Sequence, residues 1–220
     1  MKQYLVLGLG RFGQSVCETL KAHHKIVVAI DSSAEIVQDV VDKGIVTDAL
    51  IGDVTQDKTL KSINAESFSA VFVCIGSDIE ASILATHTLK ELKVHKIIAK
   101  AVTRKHGKIL ENVGATTVVY PEMHMGERVA LQEVQPNILE QLQFGKDHIL
   151  VEIEAPSSFI GKDLKHLDFR NRFGGNIIGI SSSSSGISNL LPMGDTIVKQ
   201  GDKLLVIVSK KEAKRLENLT

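Results

Sequence analysis

A glycine-rich segment near the start of the chain has the spacing of a dinucleotide-binding loop. Gly8, Gly10 and Gly13 form the pattern Gly-x-Gly-x-x-Gly between a short apolar run and a segment with helical periodicity. The first glycine permits a tight turn, the second lets a phosphate approach the backbone, and the third lets helix and strand pack closely. Free N–H groups at the helix start favour an anion. The segment predicts nucleotide binding, the alternative being a sheet of the same type with a vestigial site.

Two charged residues extend this prediction. Asp31 ends the second apolar run, roughly 20 positions after the loop, where a carboxylate accepts hydrogen bonds from ribose hydroxyls. Arg11 lies inside the glycine loop, where its guanidinium is suited to a bidentate contact with a terminal phosphate. The alternative for Arg11 is a solvated arginine on the loop.

Residues that end the third and fourth apolar runs are further candidates. Asp53, or the Val54 backbone, is placed to read the amino group of adenine, and Asp53 is equally placed to cap the helix that follows. Gly76 lies between Ile75 and Ser77, where it permits close ligand approach or a plain turn.

Three charged or titratable residues follow the last two runs. Lys100 ends the fifth run and is a candidate phosphate contact, and His106 follows six positions later; either one alternatively faces solvent. Glu122 follows Pro121, where a carboxylate suggests a divalent cation bridging to phosphate, or simply an acid favoured by a helix N-terminus. Spacing alone leaves both alternatives for Glu122 open.

The elements that position these residues alternate between strand and helix. This alternation predicts an α/β domain with a Rossmann-like, doubly wound parallel sheet. In such a sheet, residues at the carboxyl ends of the strands share one edge. The predicted strands are Gln3–Gly8, Lys25–Ile30, Thr47–Gly52, Ala70–Ile75, Lys96–Lys100 and Thr117–Tyr120.

The pattern changes after Pro121. A helix is predicted over Glu122–Val134 and a second, kinked helical piece over Asn137–Phe144. Alternating residues from His148 onward then indicate a small α+β lobe with a closing helix over Lys211–Leu219. Its predicted strands include Asn176–Ile180, Thr196–Val198 and Lys203–Val208, and the serine run Ser181–Ser185 is predicted to be a loop. The predicted domains are therefore 1–121 for nucleotide binding, 122–144 as a crossover helical linker, and 145–220 as the C-terminal lobe.

Composition excludes several classes of function. The 220 residues carry 26 basic and 26 acidic side chains, and aromatic residues make up 4%, so nucleic-acid binding is not expected. No apolar stretch is long enough for a membrane span, and two cysteines without metal spacing are typical of a reduced, cytosolic protein. We find no recognisable catalytic triad and no room for a dehydrogenase substrate domain. These observations predict a binding protein and argue against an enzyme.

The motifs together resemble the RCK proteins, the cytosolic regulators of Ktr-type potassium uptake systems in bacteria, with a TrkA-N and a TrkA-C domain. The resemblance covers essentially the whole chain. Its N-terminal motifs are Gly8-Leu9-Gly10-Arg11-Phe12-Gly13, Asp31, Ile75-Gly76, Lys100-Ala101 and Pro121-Glu122-x-x-Met125-Gly126. Its C-terminal motifs are Gly161-Lys162-x-Leu164 and Asp168-Phe169-Arg170.

The resemblance implies a regulatory subunit that binds ATP or ADP, and NAD(H) in some members, and gates a membrane subunit that translocates potassium. Dimers would assemble into an octameric ring at the inner face of the membrane. Glu122 would hold Mg²⁺ or Ca²⁺ together with its copy in the neighbouring subunit. The implied nucleotide contacts are Gly8, Gly10, Arg11, Phe12, Gly13, Asp31, Ser32, Ser33, Asp53, Val54, Ile75, Gly76, Ser77, Lys100, Ala101, His106 and Glu122.

The resemblance also implies a second ligand, cyclic di-AMP, at a seam between C-terminal lobes. The matching positions are Leu164, Phe169, Arg170, Gly175, Asn176, Ile177 and Pro192. Two positions depart from the family pattern. Gly175 stands where a well-known version has histidine, and Asp53 stands where many relatives have asparagine or another polar residue.

Overall fold

The computed structural model describes residues 2–134, 138–182 and 188–217, and it divides into two compact units after Met125. The N-terminal unit is built on six parallel strands in the order β3-β2-β1-β4-β5-β6. The strands are β1 Gln3–Leu7, β2 Ile26–Asp31, β3 Asp48–Ile51, β4 Ala70–Val73, β5 Ile97–Lys100 and β6 Thr117–Val119. The helices are α1 Arg11–Ala22, α2 Ala34–Asp42, α3 Asp57–Ser62, α4 Ile79–Glu91, α5 Arg104–Val113 and α6 Pro121–Val134.

Both faces of this sheet are buried, which confirms the predicted doubly wound architecture. Leu5 and Leu7 pack in one apolar cluster, whereas Val6 between them packs in another. Successive side chains of a strand point to opposite faces, so the two clusters cover the two sides of the sheet. The near-continuous apolar strands of the sequence follow from this double burial.

Side-chain caps fix where three of the helices begin. Ser33, Asp78 and Thr103 each accept a hydrogen bond from the backbone N–H group three residues later, at the starts of α2, α4 and α5. These bonds satisfy N–H groups that the helix itself leaves free. Because each helix follows a parallel strand, the capped ends lie at the carboxyl edge of the sheet.

The C-terminal unit contains a five-stranded sheet in the order β10-β9-β11-β8-β7, with antiparallel neighbours. An aromatic cluster of Phe159, Phe169 and Phe173 packs in its core, with ring centroids 4.8–6.1 Å apart. The strands are β7 Ile138–Phe144, β8 His148–Glu154, β9 Gly175–Ser182, β10 Ser188–Leu190 and β11 Asp202–Ser209. The short helices are α7 Leu164–Leu167, α8 Phe169–Phe173 and α9 Lys214–Glu217.

Three predictions for this unit are wrong. Ser181 and Ser182, predicted to lie in the serine loop, are the last residues of strand β9, because they pair with β10 and β11. The segment Ile138–Phe144 is strand β7 and not a helical piece, because it pairs with β8 across a turn in which Gly145 has φ +70°. Thr196–Val198 is not a strand; Ile197 forms only an isolated bridge to Asp163, while β11 pairs with β8 and β9. Asn137, Ser183–Ser185 and the last residues of the predicted closing helix lie outside the described residues. Within the described ranges, no helix is both long and apolar enough to cross a membrane.

Candidate functional site

A cleft of about 1010 Å³ opens at the carboxyl edge of the parallel sheet. Most of the residues predicted to contact a nucleotide line it, although they come from six separate parts of the chain. They are Gly8, Gly10, Arg11, Phe12, Asp31, Ser32, Ser33, Asp53, Val54, Ile75, Gly76, Ser77, Lys100 and Glu122. Gly13, Ala101 and His106 are not among the lining residues.

The glycine loop has the geometry that its sequence pattern demands. Gly8 has φ +91°, a conformation that favours glycine, and its N–H group donates to the Ile30 carbonyl at 2.8 Å. Gly10 precedes the first turn of α1, and a Cβ atom there would meet no atom within 4 Å. A Cβ atom on Gly13 would collide with the Gly8 carbonyl oxygen. Gly13 therefore lets α1 pack on the loop from behind, while Gly10 leaves space on the ligand side.

Asp31 connects the glycine loop to the second strand. Its Oδ2 atom accepts from the Leu9 N–H group at 2.6 Å, and its Oδ1 atom accepts from the Ser33 N–H group at 2.9 Å. The carboxylate is thereby held in one orientation at the cleft. A carboxylate oxygen can accept more than one hydrogen bond, so ribose hydroxyls can still bind to it.

Two cationic side chains line the cleft, and they differ in whether they already have an anionic partner. Arg11 is the first residue of α1, its side chain is exposed, and within the described residues its guanidinium has no hydrogen-bond or ion-pair partner. Lys100 donates from Nζ to Glu122 Oε1 at 2.6 Å. This hydrogen bond, with the nearby positive charge, holds the pKa of Glu122 below its usual value. Arg11 is free to bind a phosphate, whereas Lys100 already has an anionic partner.

Asp53 orders the turn after β3. Its Oδ1 atom accepts from the Thr55 hydroxyl at 2.7 Å and the Thr55 N–H group at 2.9 Å, and these bonds lower the pKa of Asp53. The alternative of a helix N-cap does not describe this residue, because α3 begins at Asp57 with Gln56 in the cap position. The Oδ2 atom has only a long contact, 3.4 Å from Gln56 Nε2. It is therefore available to an amino group in the cleft.

His106 and Ala101 lie behind the wall of the cleft. Both are buried, and the His106 ring accepts from the Val102 N–H group through Nδ1 at 3.3 Å. The ring proton is consequently on Nε2, which faces the Ser82 hydroxyl oxygen at 3.3 Å. Burial lowers the pKa of His106, which favours the neutral ring. Neither residue lines the cleft, so the nucleotide contacts expected for His106 and Ala101 stay predictions.

The sequence prediction missed part of the cleft lining. These residues are mainly apolar or small: Ile30, Ile36, Gly52, Thr55, Cys74, Asp78, Ala81 and Val102. Gly52, Thr55 and Asp78 adjoin predicted residues, so the strand-end rule could have found them. The apolar ones carry no signal in the sequence that separates a cleft wall from a core. Burial raises the pKa of the Cys74 thiol to about 12, which keeps it protonated.

The residues predicted to bind a second ligand fall into two groups. Leu164, Phe169 and Ile177 pack in or against the core of the C-terminal unit, and Gly175 is buried. A Cβ atom on Gly175 would lie 2.6 Å from the Ile207 carbonyl oxygen, so a histidine does not fit there without a backbone shift. Arg170 and Asn176 are exposed, and Pro192 is half-buried.

Comparison with known proteins gives two domain matches that together cover most of the chain. The TrkA-N domain matches residues 4–121 and the TrkA-C domain matches residues 148–220. The Ktr system potassium uptake protein C of Bacillus subtilis (strain 168) is 39% identical over 216 residues, which cover 98% of this chain and 96% of that protein. The Ktr system potassium uptake protein A of the same strain is 34% identical over 217 residues, covering 99% and 96%.

Solved structures agree on the fold. The GsuK channel bound to NAD matches with a TM-score of 0.68 and 18% identity, covering 99% of this chain. This chain spans 39% of the length of that channel chain. At 18% identity this match supports the fold of the two units and says nothing of the ligand.

Proposed function

Because this chain belongs to the family of TrkA-N and TrkA-C domain proteins that includes the Ktr system potassium uptake proteins, we propose that it is the regulatory subunit of a potassium uptake system. It binds ATP or ADP in the cleft of the N-terminal unit and so controls a membrane partner. The observation that carries this proposal is the convergence of the glycine loop, Asp31, Arg11 and Lys100 on one cleft.

Each part of the cleft has chemistry for one part of an adenine nucleotide. The loop around Gly10 offers backbone N–H groups and open space to a phosphate. Asp31 accepts from the ribose hydroxyls, and Asp53 Oδ2 accepts from the adenine amino group. Arg11 and Lys100 bind the outer phosphates. A third phosphate adds charge where the Arg11 guanidinium has no partner among the described residues, so Arg11 distinguishes ATP from ADP.

The proposal assigns transport to a partner and regulation to this chain. The partner is a Ktr-type membrane subunit that translocates potassium, and this chain binds it from the cytoplasm as dimers assembled into an octameric ring. The chain itself catalyses no reaction and binds no nucleic acid. The domain boundary predicted at 121/122 belongs to the same proposal, with nucleotide binding confined to the first domain. Within the predicted linker, Ile138–Phe144 forms β7 of the C-terminal sheet.

Two further ligands stay predictions from the family resemblance. Glu122 is a single carboxylate, and the described residues contain no group of three histidine, cysteine or acidic side chains that could hold a metal ion. Mg²⁺ or Ca²⁺ at Glu122 would therefore take further ligands from a nucleotide and from the copy of Glu122 in a second subunit. Cyclic di-AMP at the C-terminal lobe depends mainly on the exposed Arg170 and Asn176.

A ligand panel tests the proposed function. Thermal shifts and calorimetry with ATP, ADP, NADH and cyclic di-AMP, with and without divalent ions, should give binding of ATP and ADP at one common site. Asp31→Asn should weaken both nucleotides, because a neutral amide is a poorer acceptor for the ribose hydroxyls. NADH binding without ATP or ADP binding would contradict the proposal and favour a small NAD-dependent oxidoreductase.

A further inference from the structure

The cleft contains an anion of its own at the point where phosphate is expected to bind. We propose that Glu122 is an internal competitor for the Lys100 ammonium group, and that it thereby sets how strongly the cleft discriminates between ligands with different numbers of phosphates. This inference depends on the proposed function, since it concerns the affinity of the same cleft for nucleotides. It goes beyond the metal role predicted for Glu122, because competition needs no cation.

The contact between the two side chains is short and carries charge. Lys100 Nζ and Glu122 Oε1 are 2.6 Å apart, which is a charge-assisted hydrogen bond. Both residues line the cleft together with the glycine loop. A phosphate oxygen that binds the Lys100 ammonium group would take the position that the Glu122 carboxylate oxygen now occupies, and both groups are negatively charged. The two anions compete for one ammonium group, so binding of one opposes binding of the other.

The surroundings decide which partner moves. The Lys100 side chain is 13% exposed and the Glu122 side chain is 68% exposed. Lys100 is confined on two further sides, since a Cβ atom on Gly76 would lie 3.0 Å from Nζ and the Phe12 ring centroid lies 5.9 Å from Nζ. Glu122 has solvent to move into and Lys100 does not. A bound phosphate therefore displaces Glu122 and leaves Lys100 in place.

The cost of this displacement depends on the ligand. Adenosine has no phosphate to reach Lys100, so it binds with the ion pair intact. A ligand whose phosphates do reach Lys100 must release Glu122 first, so its affinity is lower than the cleft could otherwise provide. Glu122 is the second residue of α6 and Lys100 is the last residue of β5, so release of the Glu122 side chain breaks a hydrogen bond between these two elements.

Glu122→Gln tests the competition directly. Binding of adenosine, AMP, ADP and ATP is measured by calorimetry in EDTA, which removes any contribution from a divalent ion. We expect Glu122→Gln to tighten the binding of ligands that reach Lys100 by roughly 2- to 5-fold, the range for a partly exposed ion pair, and to leave the affinity for adenosine unchanged. Glu127→Gln is the matched control, since it removes the same charge from an exposed position of the same helix, and it should change none of the four affinities.

A double-mutant cycle separates competition from simple repulsion. In a Lys100→Met background, the gain from Glu122→Gln should disappear, because there is no ammonium group left to compete for. A gain that persists in this background would overturn the inference and indicate through-space repulsion. Unchanged affinities in Glu122→Gln would overturn it as well, with nucleotide binding by the parent chain intact. Failure of the proposed function is a different result, in which the parent chain binds no nucleotide, and it would overturn both.

Discussion

The two units of the chain differ in whether the carboxyl ends of their strands lie at one edge of the sheet or at both. In the N-terminal unit all six strands are parallel, so residues that end or follow four different strands still meet in one cleft: Asp31, Asp53, Lys100 and Glu122. In the C-terminal unit each strand runs against its neighbours, so successive strand ends fall on opposite edges. A position at the end of a strand therefore indicates a binding residue only where the sheet is parallel.

The largest effect on stability is expected at Phe169, a residue that the resemblance places at a ligand and that the structure places in the core of the C-terminal unit. Phe169→Ala should destabilise the C-terminal unit by about 4 kcal/mol, because it removes one of the three mutually packed rings of the aromatic cluster. Urea unfolding measures this loss. Arg170→Ala, at the adjacent exposed position, should change stability by less than about 0.5 kcal/mol. Equal losses in the two variants would contradict the division of this unit into core and exposed candidates.

In the N-terminal unit, two glycines of the loop allow an effect on stability to be separated from an effect on nucleotide binding. Gly13→Ala should cost about 3 kcal/mol, because the added Cβ atom collides with the Gly8 carbonyl oxygen. Gly10→Ala should lower the free energy of unfolding by less than about 1 kcal/mol, since φ of Gly10 is −64° and the space around it is open. It should nevertheless weaken the binding of ATP and ADP, because the added methyl group occupies the space left for a phosphate. Urea unfolding and calorimetry on both variants check this. Unchanged nucleotide affinity in Gly10→Ala would contradict the binding of a phosphate at the glycine loop.

The parts of the site that could be predicted from sequence are those that the backbone alone determines. Asp31 and Lys100 end parallel strands, so their place in the cleft follows from topology without any knowledge of side-chain packing. His106 depends on the direction of a side chain after a loop, and only the structure shows it turned toward Ser82. The sequence predicts a helix where strand β7 lies because so short a segment fits the patterns of both elements, and only the pairing with β8 decides between them.

A smaller effect should distinguish the two cations of the cleft. Arg11→Ala should reduce the preference for ATP over ADP by about 10-fold, because the third phosphate loses a guanidinium that has no competing partner in the described residues. Calorimetry with both nucleotides measures the ratio. Arg104→Ala is the matched control, since Arg104 is the exposed first residue of α5 and does not line the cleft. An unchanged ratio in Arg11→Ala would assign the third phosphate to another group.

The smallest effect concerns the pH dependence of the N-terminal unit. An unfolded histidine has a pKa of about 6.5, and burial lowers the pKa of His106 in the folded state. The unfolded chain therefore binds the proton more readily, so this contribution to stability is present above about pH 6.5 and is lost as the pH falls below it. Protonation would also place an N–H group on Nδ1 against the Val102 N–H group, two donors facing each other.

His106→Asn tests this contribution, because its amide oxygen can still accept from the Val102 N–H group and does not titrate in this range. Urea midpoints are compared between about pH 7.5 and 5.5, on either side of the ordinary histidine pKa. The parent chain should lose stability more steeply than the variant. Because His106 lies behind the cleft and Arg11 lies within it, His106→Asn should leave the ratio of ATP to ADP affinity unchanged. A change in that ratio would place His106 at the ligand after all and extend the site beyond the strand-end residues.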